Sequence, residues 1–135
     1  MKSLAIFAGV LFVGFGIGGL VPALTTDGLL LGIFAMSPMQ AGVYLASGIL
    51  AIACALGGEN SARYFFRAAG VLYALFAIAG FVQAHTGGEL AGLAMNTADN
   101  VLNTGIAVAS LWLGFVRPGP FIPPPGPRHD LRELA

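Results

Sequence analysis

The six Lys and Arg residues fall in only three places: Lys2; Arg63 and Arg67; and Arg117, Arg128 and Arg132. Residues 3–62 and 68–116 lie between them without one basic side chain, and are dominated by Leu, Ile, Val, Phe, Ala and Gly. A water-soluble domain carries charge on about a quarter of its residues. Here charged residues make up 9% and apolar ones 57%. Lys and Arg collect on the cytoplasmic side of membrane proteins. The spacing therefore predicts an even number of spans, with the N-terminus, the Arg63/Arg67 loop and the C-terminus all cytoplasmic. One helical crossing of the ~30 Å hydrocarbon core takes roughly 20 apolar residues. The 135 residues, with mean hydropathy +0.86, hold four such spans and a tail. The predicted spans are about 4–24, 38–56, 64–84 and 97–116 in a transmembrane domain 1–116, followed by a Pro-rich cytoplasmic tail 117–135.

Lys2, the apolar run after it and Val21-Pro22-Ala23 together imitate a secretory signal peptide. The run is long for such a leader, and an internal repeat makes it a retained span. Ala8-Gly9-Val10-Leu11-Phe12 aligns with Ala69-Gly70-Val71-Leu72-Tyr73, and Gly19-Leu20-Val21 with Gly80-Phe81-Val82. Further on, Met36-Ser37 aligns with Met95-Asn96, which sets Gln40 opposite Asp99 and Tyr44 opposite Asn103. Each copy holds two spans, so both enter the bilayer from the same side. The predicted fold is all-α: an integral membrane four-helix bundle of two parallel two-span repeats. Short outer apolar segments are expected between spans 1 and 2 and between spans 3 and 4.

Ser37-Pro38 divides the long apolar stretch from Leu29 to Leu56, because Ser caps helices and Pro suits their first position. Residues 28–36 then form an outer segment lying at the interface or folded back on the bundle. Asn96 takes the matching cap in the second copy, and Asp99 sits in the first turn, where a carboxylate meets the positive helix end. Small residues let helices approach in lipid. Grooves are expected at Gly14-x-x-x-Gly18 (with Gly9 and Gly16 nearby), at Gly70-x-x-x-Ala74 with Ala77, and at Gly105-x-x-x-Ala109. Trp112 and Phe115 read as interfacial anchors. The tail, with its repeated prolines, reads as extended polyproline-type chain.

The polar side chains collect on the predicted outer side: Thr25, Thr26, Asp27, Gln40, Tyr44, His85, Thr86, Glu89, Asp99, Asn100, Asn103 and Thr104. Gln40 with Tyr44, and Asp99 with Asn103, each share a helix face. The repeat draws these four toward the outer mouth of the bundle. They are the candidate ligand-binding cluster, with helix capping and interhelical hydrogen bonding as the plainer reading of the same residues. No catalytic constellation, metal-ligand set or cofactor motif is present. His85 and Glu89 lack further ligands, His129 lies in the tail, and Cys54 is alone in mid-span. Zero net charge argues against nucleic acid as a partner.

The Gly-rich first span, Leu31-Gly32-Ile33-Phe34 before Ser37-Pro38, Arg63-x-x-Phe66-Arg67 and Ala94-Met95-Asn96-x-x-Asp99-Asn100 resemble one bacterial membrane family. It is domain-of-unknown-function family 4383, and the likeness covers about residues 4–116. The resemblance implies a four-helix fold in the bacterial cytoplasmic (inner) membrane, and no activity. Members commonly carry a His one turn after the Asp-Asn dipeptide and another at the matching place in the second span. This chain has Asn103 and Tyr44 there, so any metal or proton role of those histidines is lost. The expected function is that of a non-catalytic scaffold or accessory protein of the lipid bilayer, as a homo-oligomer or beside another membrane protein. The alternative is small-ligand, proton or cation binding or transport through Gln40, Tyr44, Asp99 and Asn103.

Overall fold

A computed structural model describes residues 1–87 and 95–116. Predictions for the 88–94 segment, Glu89 included, and for the Pro-rich tail lie outside the described residues. Four α-helices form: α1 Lys2–Leu20, α2 Pro38–Leu56, α3 Glu59–Thr86 and α4 Thr97–Leu111, with a π-helical turn Trp112–Val116 extending α4. Three of them, α1, α2 and α3, are long and apolar enough to cross a membrane. This is a largely helical, membrane-type protein.

The helix ends follow local chemistry. α1 stops four residues before the predicted limit, because Pro22 drives Val21 into an extended conformation. Ser37 caps α2 as expected, accepting from the Gln40 N–H while Gln40 reaches back to the Ser37 N–H, with Pro38 in the first turn. Asn96 and Asp99 build the same reciprocal cap on α4. Arg63 and Arg67 do not lie in a loop. Gly57 and Gly58 alone reverse the chain, Gly58 at φ 120° where a side chain would be strained, and both arginines sit inside the 28-residue α3. At ~1.5 Å per residue α3 is about 42 Å long, more than the ~30 Å of hydrocarbon.

The all-α expectation is corrected between α1 and α2. A three-stranded antiparallel sheet of two-residue strands forms there: β1 Thr25–Thr26, β2 Leu29–Leu30 and β3 Phe34–Ala35. Thr26 pairs with Leu29 across Asp27-Gly28, both at positive φ, the backbone of a two-residue hairpin turn. Leu30 is buried under Gly18, and Met36 lies on Gly19. The outer segment is thus folded back on the bundle, as one of the two expectations had it.

α1 packs along α2 and α3 along α4, with α2 against α3. Glycines set the closest approaches. A Cβ on Gly9 would meet Ile52 Cγ1 at 2.6 Å, one on Gly16 would meet the Leu45 N at 2.8 Å, and one on Gly70 would meet Leu111 Cγ at 2.8 Å. The predicted grooves at Gly14 and Gly105 are not contacts, since nothing lies within 4 Å of a Cβ at either. Both are exposed, each two residues from the nearest buried positions of its helix. At the Arg67 end, its Nε donates to the Gly114 carbonyl at 2.8 Å and its guanidinium stacks over Phe115. There it compensates the negative end of α4. The Met1 ammonium pairs with Glu59 at 2.8 Å and holds that carboxyl below the usual glutamate range.

Candidate functional site

All four predicted cluster residues are buried. The structure brings Gln40, Tyr44 and Asn103 around one small cavity, together with Val43, Tyr73, Phe76 and Met95. Asp99 lies outside that lining. The Tyr44 hydroxyl donates to Asn103 Oδ1 at 3.4 Å, a long bond between α2 and α4. Gln40 spends its side-chain oxygen on its own helix cap, accepting from the Ser37 N–H at 3.2 Å.

Asp99, only 1% exposed, has a different task. Its Oδ2 accepts from the Asn96 N–H at 2.9 Å and from the Ala35 N–H of β3 at 3.1 Å. Asn96 Nδ2 donates to the Ile33 carbonyl at 2.7 Å. The first turn of α4 is therefore stitched to the miniature sheet. Burying a carboxylate is costly unless hydrogen bonds meet it, and charged acceptors make the stronger ones. Here two backbone donors and the positive end of α4 do so.

The cavity volume is about 10 Å³. A single water needs about 10–15 Å³ of such volume, so one water is its limit. Four of the other polar groups in the predicted outer set bond to a backbone carbonyl one turn back. Thr25 bonds to the Val21 carbonyl, His85 Nδ1 to Phe81, Thr86 to Val82 and Thr104 to Asn100. His85 and Thr86 belong to the last turn of α3 rather than to a turn between helices. Cys54 is half-buried and free, and no group of three metal-type ligands occurs among the described residues.

Two buried features escaped the sequence reading. Tyr73 donates to Ser47 Oγ at 3.3 Å and stacks on Phe12, ring centroids 5.3 Å apart and nearly parallel. A hydroxyl on an otherwise apolar face was the available signal. Asn100 packs its side chain against the Gly80 backbone, and its Oδ1 has no hydrogen-bond partner. Nothing in the local pattern distinguishes that Asn from its neighbours.

Among known families, the one described as a domain of unknown function (DUF4383) matches residues 2–116. No curated protein and no solved structure matches the chain.

Proposed function

Because the chain belongs to domain-of-unknown-function family 4383, whose name carries no activity, we propose its role from its own residues: a non-catalytic, four-span membrane protein acting as a scaffold or accessory subunit. The observation that carries this reading is the site itself. Gln40, Tyr44 and Asn103 engage in hydrogen bonds within the protein around space for one water, and Asp99 does so beside it. They tie α2, α4 and the sheet together and leave no room for a substrate larger than water.

The fourth span runs through α4 and the π-helical turn, Thr97 to Val116, to the level of Arg67. Both termini and the Gly57-Gly58 turn are cytoplasmic, and the sheet is outside. The two-copy architecture has support in matched contacts. Gly9 against Ile52 corresponds to Gly70 against Leu111, and Gly19 beside Ala41 corresponds to Gly80 beside Asn100. The Ser37/Gln40 cap corresponds to the Asn96/Asp99 cap. Two pairs of equivalent residues touch one another, Phe12 with Tyr73 and Tyr44 with Asn103, as side chains on a pseudo-twofold axis would.

Single cysteines on a Cys54→Ala background test the topology. Thr26→Cys and Thr86→Cys should label from outside intact cells, and Asn60→Cys only after permeabilisation. Outside labelling at position 60 would reject it. Crosslinking in native membranes, read by mass spectrometry, tests the role: a reproducible membrane-protein neighbour or a second copy is expected. A monomer without neighbours refutes the scaffold. Binding and transport of a small ligand or cation through the cluster is the rival reading, favoured only by the Gln40, Tyr44 and Asn103 lining. It requires the cavity to widen well beyond one water.

A further inference from the structure

α1 and α4 do not pack closely on each other. α2 packs on α3 beside their two-glycine turn, and by the repeat α1 should pack on α4 likewise. No such turn joins α1 and α4, and an apolar slot opens between them instead. Leu4, Ala8 and Leu11 of α1 face Ile106, Ala109 and Leu113 of α4 across a cavity of about 280 Å³. A second cavity of about 120 Å³ shares Leu11, Phe12 and Ile106 and carries the slot on to Phe15 and Leu102. Phe12 and Phe66, both buried, form the floor, and the polar exceptions are Ser110 near the Leu113 end and Tyr44 in the second cavity.

We infer that this slot is the seat of one acyl chain of an anionic membrane phospholipid, its headgroup at the Lys2/Arg67 end. The inference rests on the membrane reading above. Its dimensions fit that occupant. From Leu4 to Phe15, and from Leu113 to Leu102, the walls run about 17 Å at ~1.5 Å per residue. A polymethylene chain advances about 1.25 Å per carbon, from ~1.5 Å bonds at ~111°, so about 13 carbons lie in the slot. The rim residues Leu4, Phe7 and Leu113 are bulky, whereas close helix seats in lipid are lined by small residues.

Charge fits the headgroup. The Leu4/Leu113 end lies beside Lys2, exposed at the start of α1, and beside Arg67, whose side chain reaches Gly114 next to Leu113. Arg63 stands one turn earlier on α3. Glu59, the acidic group on this side, is paired with the Met1 ammonium. The balance among the described residues there is positive, and positive charge at the cytoplasmic surface attracts anionic lipid.

The test is native mass spectrometry of the full chain, extracted in mild detergent and titrated with 14-carbon phosphatidylglycerol or phosphatidylcholine. The wild type should retain one phosphatidylglycerol at detergent levels that strip other lipid. Ala8→Phe and Ala109→Phe fill the slot from opposite walls and should each lower retention at least ten-fold. Val108→Phe, on the exposed face of α4, should leave it unchanged. Lys2→Gln should narrow the preference for phosphatidylglycerol over phosphatidylcholine. Circular dichroism of each variant confirms that helicity is kept. Equal retention by wild type and both filling variants overturns the inference, and so does a dimer that competes with the lipid adduct. A chain that partitions into the soluble fraction without detergent fails the membrane reading itself, a separate result.

Discussion

Gly80→Ala should destabilise this protein while Gly105→Ala does not, although both exchange a helical glycine for alanine in the same helix pair. A methyl at Gly80 would overlap Asn100 Oδ1 and sit 2.6 Å from Asn100 Cγ. Asn100 has little room to yield. It is 4% exposed, short, and enclosed between α3 and α4. Those helices are also clamped at Gly70 against Leu111 and at Gly114 against Arg67, so α4 cannot retreat locally. Forced overpacking costs about 1–3 kcal/mol, against a gain of up to ~1 kcal/mol from alanine in a helix. The expected net loss is about 1–2 kcal/mol. At Gly105 there is no atom within 4 Å, so only the propensity term acts and the change is neutral or favourable.

Three further variants separate this packing account from a general intolerance of Gly80. Gly19 is its repeat counterpart, but a methyl there meets the thioether of Met36, with Cγ at 2.5 Å and Sδ at 2.9 Å. Methionine can repack, so Gly19→Ala should cost less than Gly80→Ala. Asn100→Ala removes the obstructing amide, and the Gly80→Ala/Asn100→Ala double variant should lie well below the sum of the singles, with a coupling of about 1–3 kcal/mol. Unfolding in mixed micelles of rising dodecyl sulfate content, followed by far-ultraviolet circular dichroism, reads all five. Equal stabilities for Gly80→Ala and Gly105→Ala, or an additive double variant, would refute the reasoning.

Asp99→Ala leaves the Asn96 and Ala35 N–H groups without their acceptor and should cost about 2–4 kcal/mol; Asp99→Asn, which keeps an oxygen, should cost less. Hydrogen exchange at the Ala35 amide should accelerate in step. Gly28→Val forces a β-branched residue to φ 77° and should cost about 1–3 kcal/mol, read as faster proteolysis between Thr25 and Ala35. Tyr73→Phe strands the Ser47 hydroxyl and should cost about 1–2 kcal/mol, whereas Tyr73→Phe with Ser47→Ala should recover most of that. Glu59, depressed below its ordinary 4.5 by the Met1 ammonium, contributes stability that is full above the ordinary value. That contribution is lost as pH falls through the depressed one, so wild type and Glu59→Gln should converge in melting temperature on the acid side.

Much of the frame was legible in the sequence because lipid leaves few choices. Ser37-Pro38 and Asn96-x-x-Asp99 announce helix starts by capping chemistry that is local in the chain. The hairpin was equally local, since Asp27-Gly28 between Thr25-Thr26 and Leu29-Leu30 is a two-residue turn signal; apolar content masked it, as Leu29–Ile33 reads as membrane segment. Which glycines make contact was not legible. Gly14 and Gly16 differ by two positions, and only the helix rotation fixed by the partner decides that Gly16 meets Leu45 while Gly14 faces out. In the site, shared helix faces placed Gln40 with Tyr44 and Asp99 with Asn103. The acceptor role of Asp99 toward Ala35 depends on a sheet sixty-four residues away in sequence.

On the two-copy reading proposed above, the halves differ in step with hydrogen-bond satisfaction. Phe12 and Tyr73 are equivalent positions stacked on each other, differing by one hydroxyl. That hydroxyl is buried between helices, where an unmet polar group is costly, and Ser47 meets it. Carried without a gap, the alignment that pairs Tyr44 with Asn103 pairs Ser47 with Ile106. Phe12 needs no partner, and Ile106 lines the slot beside it. A polar pair where α2 meets α3 thus answers an apolar pair where α1 faces α4, each complete in itself. The same logic holds at the helix starts, where Gln40 closes its own cap and Asp99, its counterpart, closes a cap and holds the outer sheet as well. Differences between the halves that each close a local hydrogen-bond account are what structural specialisation produces. In this cluster the Tyr44 hydroxyl, the Gln40 side-chain oxygen and Asp99 Oδ2 are each engaged, with Asn103 or with the backbone.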